Sequence, residues 1–337
     1  MTGTTDPFGR RIDYLRISVT DRCNLRCIYC MPPEGVPRIP HGEVLSYEEI
    51  RSVVQAAAEL GISRIRLTGG EPLVRAGLPE LVRMLSQIDG VRELSLTTNG
   101  TLLKEHALTL KEAGLSRVNV SLDTLQADRF RSITRLGSLE TVVEGIQAAK
   151  EAGFDPVKIN TVVMRGVNDD EVLDLARMTY EDGWHIRFIE LMPFRCLAEF
   201  VPSSELRERI GLLDRLEPCP DSIAITGNGP AVYYRLAGAR GTIGFVSPLT
   251  DVSFCSRCNR MRLSSDGKLR PCLLAEDEID LKAALRNNST LSELQDLILG
   301  AVASKQEHHQ LRGGKAARLA AGGTCRVNKR MMSQIGG

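Results

Sequence analysis

At residues 19–30 the sequence reads Val19-Thr-Asp-Arg-Cys23-Asn-Leu-Arg-Cys27-Ile-Tyr-Cys30. Three thiols at C-x3-C-x2-C spacing, in a loop that follows a predicted strand, can bind three corners of a cubane [4Fe–4S] cluster. A structural zinc site usually needs four ligands at paired spacings, and a redox motif needs only two cysteines, so the spacing favours the cluster. The missing fourth cysteine leaves one iron open to a small molecule.

Strand-like and helix-like segments alternate from Tyr14 to about Leu191. Ser46 and Glu49 form a capping box at the start of one helix, and Gly61 ends it. Gly114 and Gly153 end two later helices in the same way. The predicted strands are Leu15–Val19, Arg64–Thr68, Glu93–Thr97, Arg117–Ser121, Val157–Val163 and His185–Ile189. This alternation predicts an α/β fold with a parallel sheet, and six units predict a partial (βα)6 TIM-like barrel, not a closed one.

The alternation stops after Met192, and a different pattern follows. We predict two units, a barrel over residues 1–220 and a C-terminal iron–sulfur domain over residues 221–337, with a boundary near Pro218–Asn228. The later segments predict a loop and short helix over Leu197–Ile210, antiparallel strands within Ser222–Val246, a hairpin turn at 265–267, helices over Asp280–Arg286 and Leu291–His308, and a basic tail from Leu311.

A second group of three cysteines, Cys255, Cys258 and Cys272, predicts another metal site with an open position. A structural zinc ribbon, with its fourth ligand from Cys325 or a histidine, is the alternative. Arg260 and Arg262 alternate on a predicted strand, so both face one side beside this group. Two such arginines suit a phosphate or carboxylate, although ordinary solvated surface is the competing interpretation.

Charge and composition exclude several classes of protein. Lys and Arg total 43 against 42 for Asp and Glu, a formal net charge of +1, which gives no support to nucleic-acid or membrane-surface binding. The N-terminal segment lacks the apolar core of a signal peptide, and no apolar run approaches the ~20 residues that span a bilayer. We therefore expect a cytoplasmic protein with reduced thiols. Cys196, Cys219 and Cys325 are isolated in the sequence and are interpreted as buried small hydrophobes or idle thiols, although the sequence leaves their roles open.

The first cysteine group and the turn Thr68-Gly-Gly-Glu-Pro72 together resemble the radical S-adenosylmethionine (SAM) superfamily. With the second cysteine group, the chain resembles over nearly its whole length the GTP 3′,8-cyclases of molybdenum cofactor biosynthesis. The other segments that carry this resemblance are those at residues 13–23, 66–73, 96–100, 117–123, 158–162, 187–192 and 254–263.

The resemblance implies two [4Fe–4S] clusters and SAM as cofactors. A SAM-derived 5′-deoxyadenosyl radical would take hydrogen from C3′ of GTP, and the ribose radical would attack guanine C8 to give 3′,8-cyclo-7,8-dihydro-GTP. The open iron of the second cluster would contact the guanine base. The implied partners are GTP, a cellular one-electron reductant and a downstream cyclic pyranopterin monophosphate synthase. The sequence does not decide the oligomeric state, and a homodimer is among the predicted assemblies.

Site residues carry over by matched position, and no side chain acts as a catalyst itself because SAM supplies the radical. The implied metal ligands are Cys23, Cys27, Cys30, Cys255, Cys258 and Cys272. The implied GTP contacts are Arg16, Arg66, Thr97, Lys158, Arg260 and Arg262, and the implied SAM contacts are Tyr29, Gly70, Ser121 and Met192. The role of Arg187 is left open between the two ligands. From the residues alone, Thr97 and Ser121 can equally cap turns, and Met192 can equally fill the core.

Two further features concern the edges of the site. Gly336-Gly337 resembles the tail that reaches into the active site in this family, and a frayed terminus is the alternative. The connection after Met192 is shorter than the family's usual loop, which puts the local lid in doubt. Two other functions compete with the cyclase: a radical enzyme that acts on a peptide, and a zinc-stabilised or ferredoxin-like binding protein.

Overall fold

The structure, a computed structural model, describes residues 3–194, 200–219, 229–309 and 330–336. The strands are β1 (Tyr14–Ser18), β2 (Arg64–Thr68), β3 (Glu93–Thr98), β4 (Arg117–Ser121), β5 (Lys158–Val163), β6 (His185–Glu190), β7 (Leu216–Pro218), β8 (Val232–Leu236), β9 (Thr242–Val246), β10 (Arg260–Leu263), β11 (Lys268–Arg270) and β12 (Ile279–Asp280). The helices are α1 (Tyr47–Glu59), α2 (Leu78–Ser86), α3 (Leu103–Glu112), α4 (Ala127–Thr134), α5 (Leu139–Glu151), α6 (Val172–Glu181), α7 (Ser203–Ile210), α8 (Leu281–Arg286), α9 (Leu291–Ala303) and α10 (Met332–Ile335). None of these described helices has the length and apolar character needed to cross a membrane.

The predicted strand–helix alternation is confirmed. Strands β1 to β6 lie side by side in chain order, and each neighbouring pair is parallel. The capping box also forms: Ser46 Oγ accepts from the Glu49 amide at 3.1 Å, and Glu49 Oε2 accepts from the Ser46 amide at 2.7 Å. Gly61, at φ 95°, ends α1 as expected because a side chain disfavours that backbone conformation.

The C-terminal half extends both edges of this parallel sheet. Strand β9 pairs in parallel with β6, and β10 pairs in parallel with β1, within a sheet to which the described residues contribute 12 strands. Antiparallel pairing then adds β8 and β7 beyond β9, and β11 and β12 beyond β10. The fold is the predicted α/β partial barrel, open and not closed on itself.

The other C-terminal predictions agree with the structure where residues are described. The hairpin turn joins β10 to β11 with Gly267 at φ 81°, and helices α7, α8 and α9 occupy their predicted segments, although α9 ends at Ala303 instead of His308. Most of the predicted boundary lies outside the described residues, so the division near residue 220 remains a prediction.

The apolar side chains of the strands pack with the helices on one face of the sheet, and polar side chains lie on the opposite face. Helix α1 buries Ile50, Val53, Val54 and Ala57 in the core. Strands β2, β5 and β6 carry three basic residues whose side chains are buried, Arg66, Lys158 and Arg187. Because a buried cation is costly without an anion nearby, the inner face of the sheet marks the functional part of the molecule.

Candidate active site

One cavity of about 320 Å³ is lined by both cysteine groups. The two groups come from opposite ends of the chain, and the pairing of β10 with β1 brings them together. Of the other predicted site residues, those lining the cavity are Arg16, Tyr29, Arg66, Gly70, Thr97, Ser121, Arg187, Met192, Arg260 and Arg262. Lys158 does not line it. The cavity therefore collects nearly all the residues that the sequence singled out.

The thiols of the first cysteine group are difficult to ionise. Burial and the neighbouring thiols of Cys30 and Cys23 raise the pKa of Cys27 well above its ordinary value, and burial raises the pKa of Cys23 to about 11. Such thiols lose their protons only when a cationic group binds them. Among the described residues, no three His, Cys, Asp or Glu side chains are close enough to share one metal ion. A cubane cluster binds each thiolate through a different iron, so the donor set fits a [4Fe–4S] cluster.

The turn at Gly69 and Gly70 packs against the loop that leads to the first cysteine. The Gly70 amide donates to Thr20 O at 2.8 Å, and a Cβ on Gly70 would lie 2.3 Å from Arg22 O. No larger residue fits without moving that loop. The turn therefore fixes the backbone before Cys23 and leaves bare peptide groups facing the cavity.

Two buried carboxylates that the sequence analysis did not select stand beside this group. Glu71 accepts from Thr98 Oγ1 at 2.7 Å and from the Asn99 amide at 2.6 Å, and burial raises the pKa of Glu71 to about 7. Asp123 accepts from Tyr29 Oη at 2.8 Å, and burial raises its pKa to about 6. Each follows the C-terminal end of a parallel strand, and that position was the signal available in the sequence.

The second cysteine group lies among cations. Burial opposes ionisation of Cys258, but Arg260 and Lys305 outweigh it and lower the pKa of Cys258 to about 6. Arg260 Nη2 lies 3.6 Å from Cys258 Sγ. A thiolate present at neutral pH is ready to bind a metal, which fits an iron–sulfur cluster, whereas no three His, Cys, Asp or Glu side chains among the described residues are close enough to share one zinc ion. Cys325, the suggested fourth zinc ligand, lies outside the described residues.

Five arginine guanidinium groups line the cavity and make it positively charged. Arg16 pairs in register with Arg66 on one side and with Arg262 on the other. Burial and then the charge of Arg262 lower the pKa of Arg16 well below its ordinary value, and burial and Arg260 lower the pKa of Arg262 to about 10. The cavity therefore favours a ligand with several negative charges.

Buried polar atoms without hydrogen bonds to the described residues point to the same conclusion. They are Arg187 Nε and Nη2, Asn160 Oδ1 and Thr97 Oγ1, all of residues at the cavity wall. Buried polar atoms nearly always have a hydrogen-bond partner in native proteins, so these atoms are available to bind a polar ligand. Asn160 was not selected from the sequence, because an asparagine within a strand carries no distinctive signal.

Lys158 lies outside the cavity wall. Its Nζ donates to Tyr233 Oη at 3.3 Å, and its side chain is buried. Burial, followed by the charges of Arg187, Arg117 and Arg66, lowers the pKa of Lys158 to about 6. In the ligand-free protein Lys158 is therefore mostly uncharged near pH 7, and it lies beside Arg66 and Arg187, which do line the cavity.

The end of the chain reaches the cavity. Met332 and Ser333 line it, and Gly336 O accepts from Arg262 Nη1 at 2.7 Å. Gly337 lies outside the described residues, as do residues 195–199 of the short loop after Met192. Met192 itself both lines the cavity and packs with Phe194, Leu274 and Ile335, so it contributes to a small apolar core as well.

Comparisons with known proteins agree with this arrangement. Residues 17–179 match the radical SAM superfamily, and residues 184–311 match a family described as Molybdenum Cofactor Synthesis C. Proteins named GTP 3′,8-cyclase from Pelotomaculum thermopropionicum and Moorella thermoacetica are each 52% identical to the chain, over 98% of this chain and 99% of theirs. A crystal structure of Streptococcus suis SuiB bound to S-adenosylmethionine superposes with a TM-score of 0.60 at 14% identity, over 87% of this chain and 68% of that one, which shows a shared fold.

Proposed function

The chain belongs to the GTP 3′,8-cyclase family of radical SAM enzymes, and we propose that the cavity described above holds GTP and SAM together between the two cysteine groups. The reaction is the conversion of GTP into 3′,8-cyclo-7,8-dihydro-GTP for molybdenum cofactor biosynthesis. The observation that carries the proposal is that both cysteine groups and five arginines line the same space. Hydrogen abstraction requires the reacting atoms to be held almost in contact, and a cavity that grips both ends of GTP meets that requirement.

The N-terminal side of the cavity is assigned to the cluster and SAM. Cys23, Cys27 and Cys30 would hold a [4Fe–4S] cluster, which when bound would supply the electron for cleavage of SAM to the 5′-deoxyadenosyl radical. Peptide groups at Gly70, with the side chains of Tyr29, Ser121 and Met192, would hold SAM. Asp123 supports this assignment because its hydrogen bond fixes the Tyr29 hydroxyl at the wall.

The arginines are assigned to the triphosphate. Arg16, Arg66, Arg260 and Arg262 supply guanidinium groups that bind phosphate oxygens in pairs, and Thr97 Oγ1 supplies a further donor without a described partner. Arg187 faces the same space with two unsatisfied N–H groups, so it joins this set. Lys158 would act from behind the wall. Its depressed pKa is raised again when anionic charge arrives.

The C-terminal side is assigned to a second cluster at Cys255, Cys258 and Cys272, whose open iron would meet the guanine base. The low pKa of Cys258 and the position of this group opposite the first support the assignment. A cellular one-electron reductant and a downstream cyclic pyranopterin monophosphate synthase complete the proposed set of partners. A cytoplasmic location suits the reduced thiols, and the homodimer remains a prediction.

A Cys258→Ser variant separates a second cluster from structural zinc. We expect it to lose about half of the iron and sulfide of the reconstituted protein while it keeps the first cluster. Iron, zinc and sulfide analysis measures this directly. Unchanged iron accompanied by lost zinc would instead support a zinc ribbon at the second group.

The proposed function is tested with anaerobically reconstituted protein, dithionite and SAM. We expect 5′-deoxyadenosine to form in a GTP-dependent manner, together with a cyclised guanine nucleotide, and ATP to be a poor replacement for GTP. Chromatography of the products measures both. If the yield of 5′-deoxyadenosine did not depend on GTP, GTP would be ruled out as the substrate, and a radical enzyme that acts on a peptide would be favoured.

A further inference from the structure

The C-terminal segment, residues 330–336, owes its position to side-chain contacts. Helix α9 ends at Ala303, and the described chain resumes at Arg330 after a gap at residues 310–329. From Arg330 the segment runs through helix α10 to Gly336, whose carbonyl accepts from Arg262 at the cavity. The contacts at its beginning therefore decide where its end lies.

Arg330 makes the charged contacts at that beginning. Its Nη1 and Nη2 donate to Asp266 Oδ1 and Oδ2 at 3.0 and 2.9 Å, and Nη2 also donates to Glu278 Oε2 at 3.0 Å. The three side chains are only 21%, 17% and 21% exposed, so water screens these bonds weakly. Burial opposes ionisation of Asp266, but its bonds to Arg330 and Ser264 lower its pKa overall. This is a bidentate pair with a third acceptor, the stronger class of protein hydrogen bond.

The acceptor side of this contact is built into the active-site sheet. Asp266 lies in the turn between β10 and β11, and β10 carries Arg260 and Arg262. Glu278 is held from the other side by the fully buried Arg270. Arg330 is therefore fixed to the same hairpin that presents Arg262 to the cavity.

The other end of the segment packs closely against β1 and β2. Gly336 adopts φ +71°, and a Cβ there would lie 2.7 Å from Thr68 Cγ2 and 3.3 Å from Ser18 Cβ. Between the two ends, Ile335 is 1% exposed and packs with Met192, Phe194 and Leu274. A short helix held at both ends transmits a displacement of Arg330 to Gly336.

We propose that Arg330 is a positioning residue for the substrate site. By binding Asp266 and Glu278 it holds the C-terminal segment so that Gly336 O orients the Arg262 guanidinium and Met332 and Ser333 complete the cavity wall. This inference rests on the proposed binding of the GTP triphosphate at Arg262. Loss of the clamp releases Arg262 and opens the wall to water, so it weakens GTP binding without removing a cluster ligand.

The test compares Arg330→Gln with Arg330→Lys and with a control, Arg165→Gln. Arg165 also makes a bidentate pair, with Glu205 at 3.1 and 2.6 Å, but it does not line the cavity. We expect Arg330→Gln to raise the KM for GTP about tenfold or more, with a smaller change in kcat, since hydrogen bonds to charged groups contribute on this scale. Arg330→Lys should recover part of the loss. Arg165→Gln should keep the wild-type KM.

Hydrogen exchange on the substrate-free proteins provides a readout that does not depend on activity. In Arg330→Gln the amides of residues 331–336 should exchange faster, while those of β1 to β6 and the iron content stay as in the wild type. Because both changes act through one segment, Arg330→Gln and Gly336→Ala should affect KM less than multiplicatively when combined. Unchanged exchange in the segment, a wild-type KM in Arg330→Gln, or fully multiplicative effects would overturn the inference. Failure of the proposed function would appear differently, as a wild-type protein whose 5′-deoxyadenosine yield ignores GTP.

Discussion

A Cys27→Ser variant is expected to produce no detectable 5′-deoxyadenosine, with or without GTP. The serine hydroxyl is a poor ligand for an iron–sulfur cluster, which is held by thiolates. Cys27 is the middle cysteine of the first group, and its pKa is raised both by burial and by the thiols of Cys30 and Cys23. Iron and sulfide analysis should show loss of about half of the cluster content, and chromatography should show intact SAM.

Cys219→Ser is the matched control for this result. Cys219 follows β7 and donates its amide to Tyr233 O at 2.9 Å, and its side chain does not line the cavity. The same chemical change there should leave both clusters and the 5′-deoxyadenosine yield at wild-type values. A Cys27→Ser protein that still cleaves SAM would overturn the assignment of the first cysteine group.

Arg16→Met is expected to act in opposite directions on stability and on substrate binding. Burial and the cations Arg262, Arg66 and Arg260 lower the pKa of Arg16, so the ligand-free fold bears a cost for this charge. Methionine fills similar space without the charge, so the substrate-free protein should become more stable towards unfolding. GTP binding should weaken by about 2–5 kcal/mol, because a buried charged contact is lost. Anaerobic thermal unfolding and calorimetric titration with GTP measure the two changes.

Arg117→Met is the comparison at an arginine that pairs with a carboxylate and lies away from the cavity. Arg117 is buried on β4, forms an ion pair with Glu93, and does not line the cavity. Removing it leaves the Glu93 carboxylate partly uncompensated, so the protein should become less stable by about 3–5 kcal/mol. If Arg16→Met were destabilised as much as Arg117→Met, the excess of positive charge at the cavity would not lower the stability of the substrate-free protein.

The sequence predicted those parts of the fold that depend on local chemistry. The capping box at Ser46 and the glycine at residue 61 fix the ends of α1 through short-range contacts alone, and both were confirmed. The pairing of β10 with β1 and of β9 with β6 could not be predicted, because these partners are far apart in sequence and a short strand does not encode which edge it joins. That long-range pairing is what brings the two cysteine groups into one cavity.

Some residues of the candidate site could be predicted from the sequence, and others could not. Cysteines at fixed spacing and arginines within strands are unusual enough to stand out from a sequence. Asn160, Glu71 and Asp123 are common residue types whose importance appears only when burial removes their water. Lys158 shows the converse, since it was selected by resemblance, and the structure places it behind the wall with Tyr233.

The attachment of the C-terminal strands to both edges of the parallel sheet has a consequence for biosynthesis. While the chain emerges from the ribosome, the outer edge of β6 stays unpaired until β9 is made, and the outer edge of β1 until β10 is made. Unpaired strand edges recruit other chains, so the nascent protein passes through an aggregation-prone interval that ends only after about three quarters of its length has been translated. Closure of the sheet is therefore a late event in synthesis, and chains that terminate before β10 should be bound by chaperones or degraded.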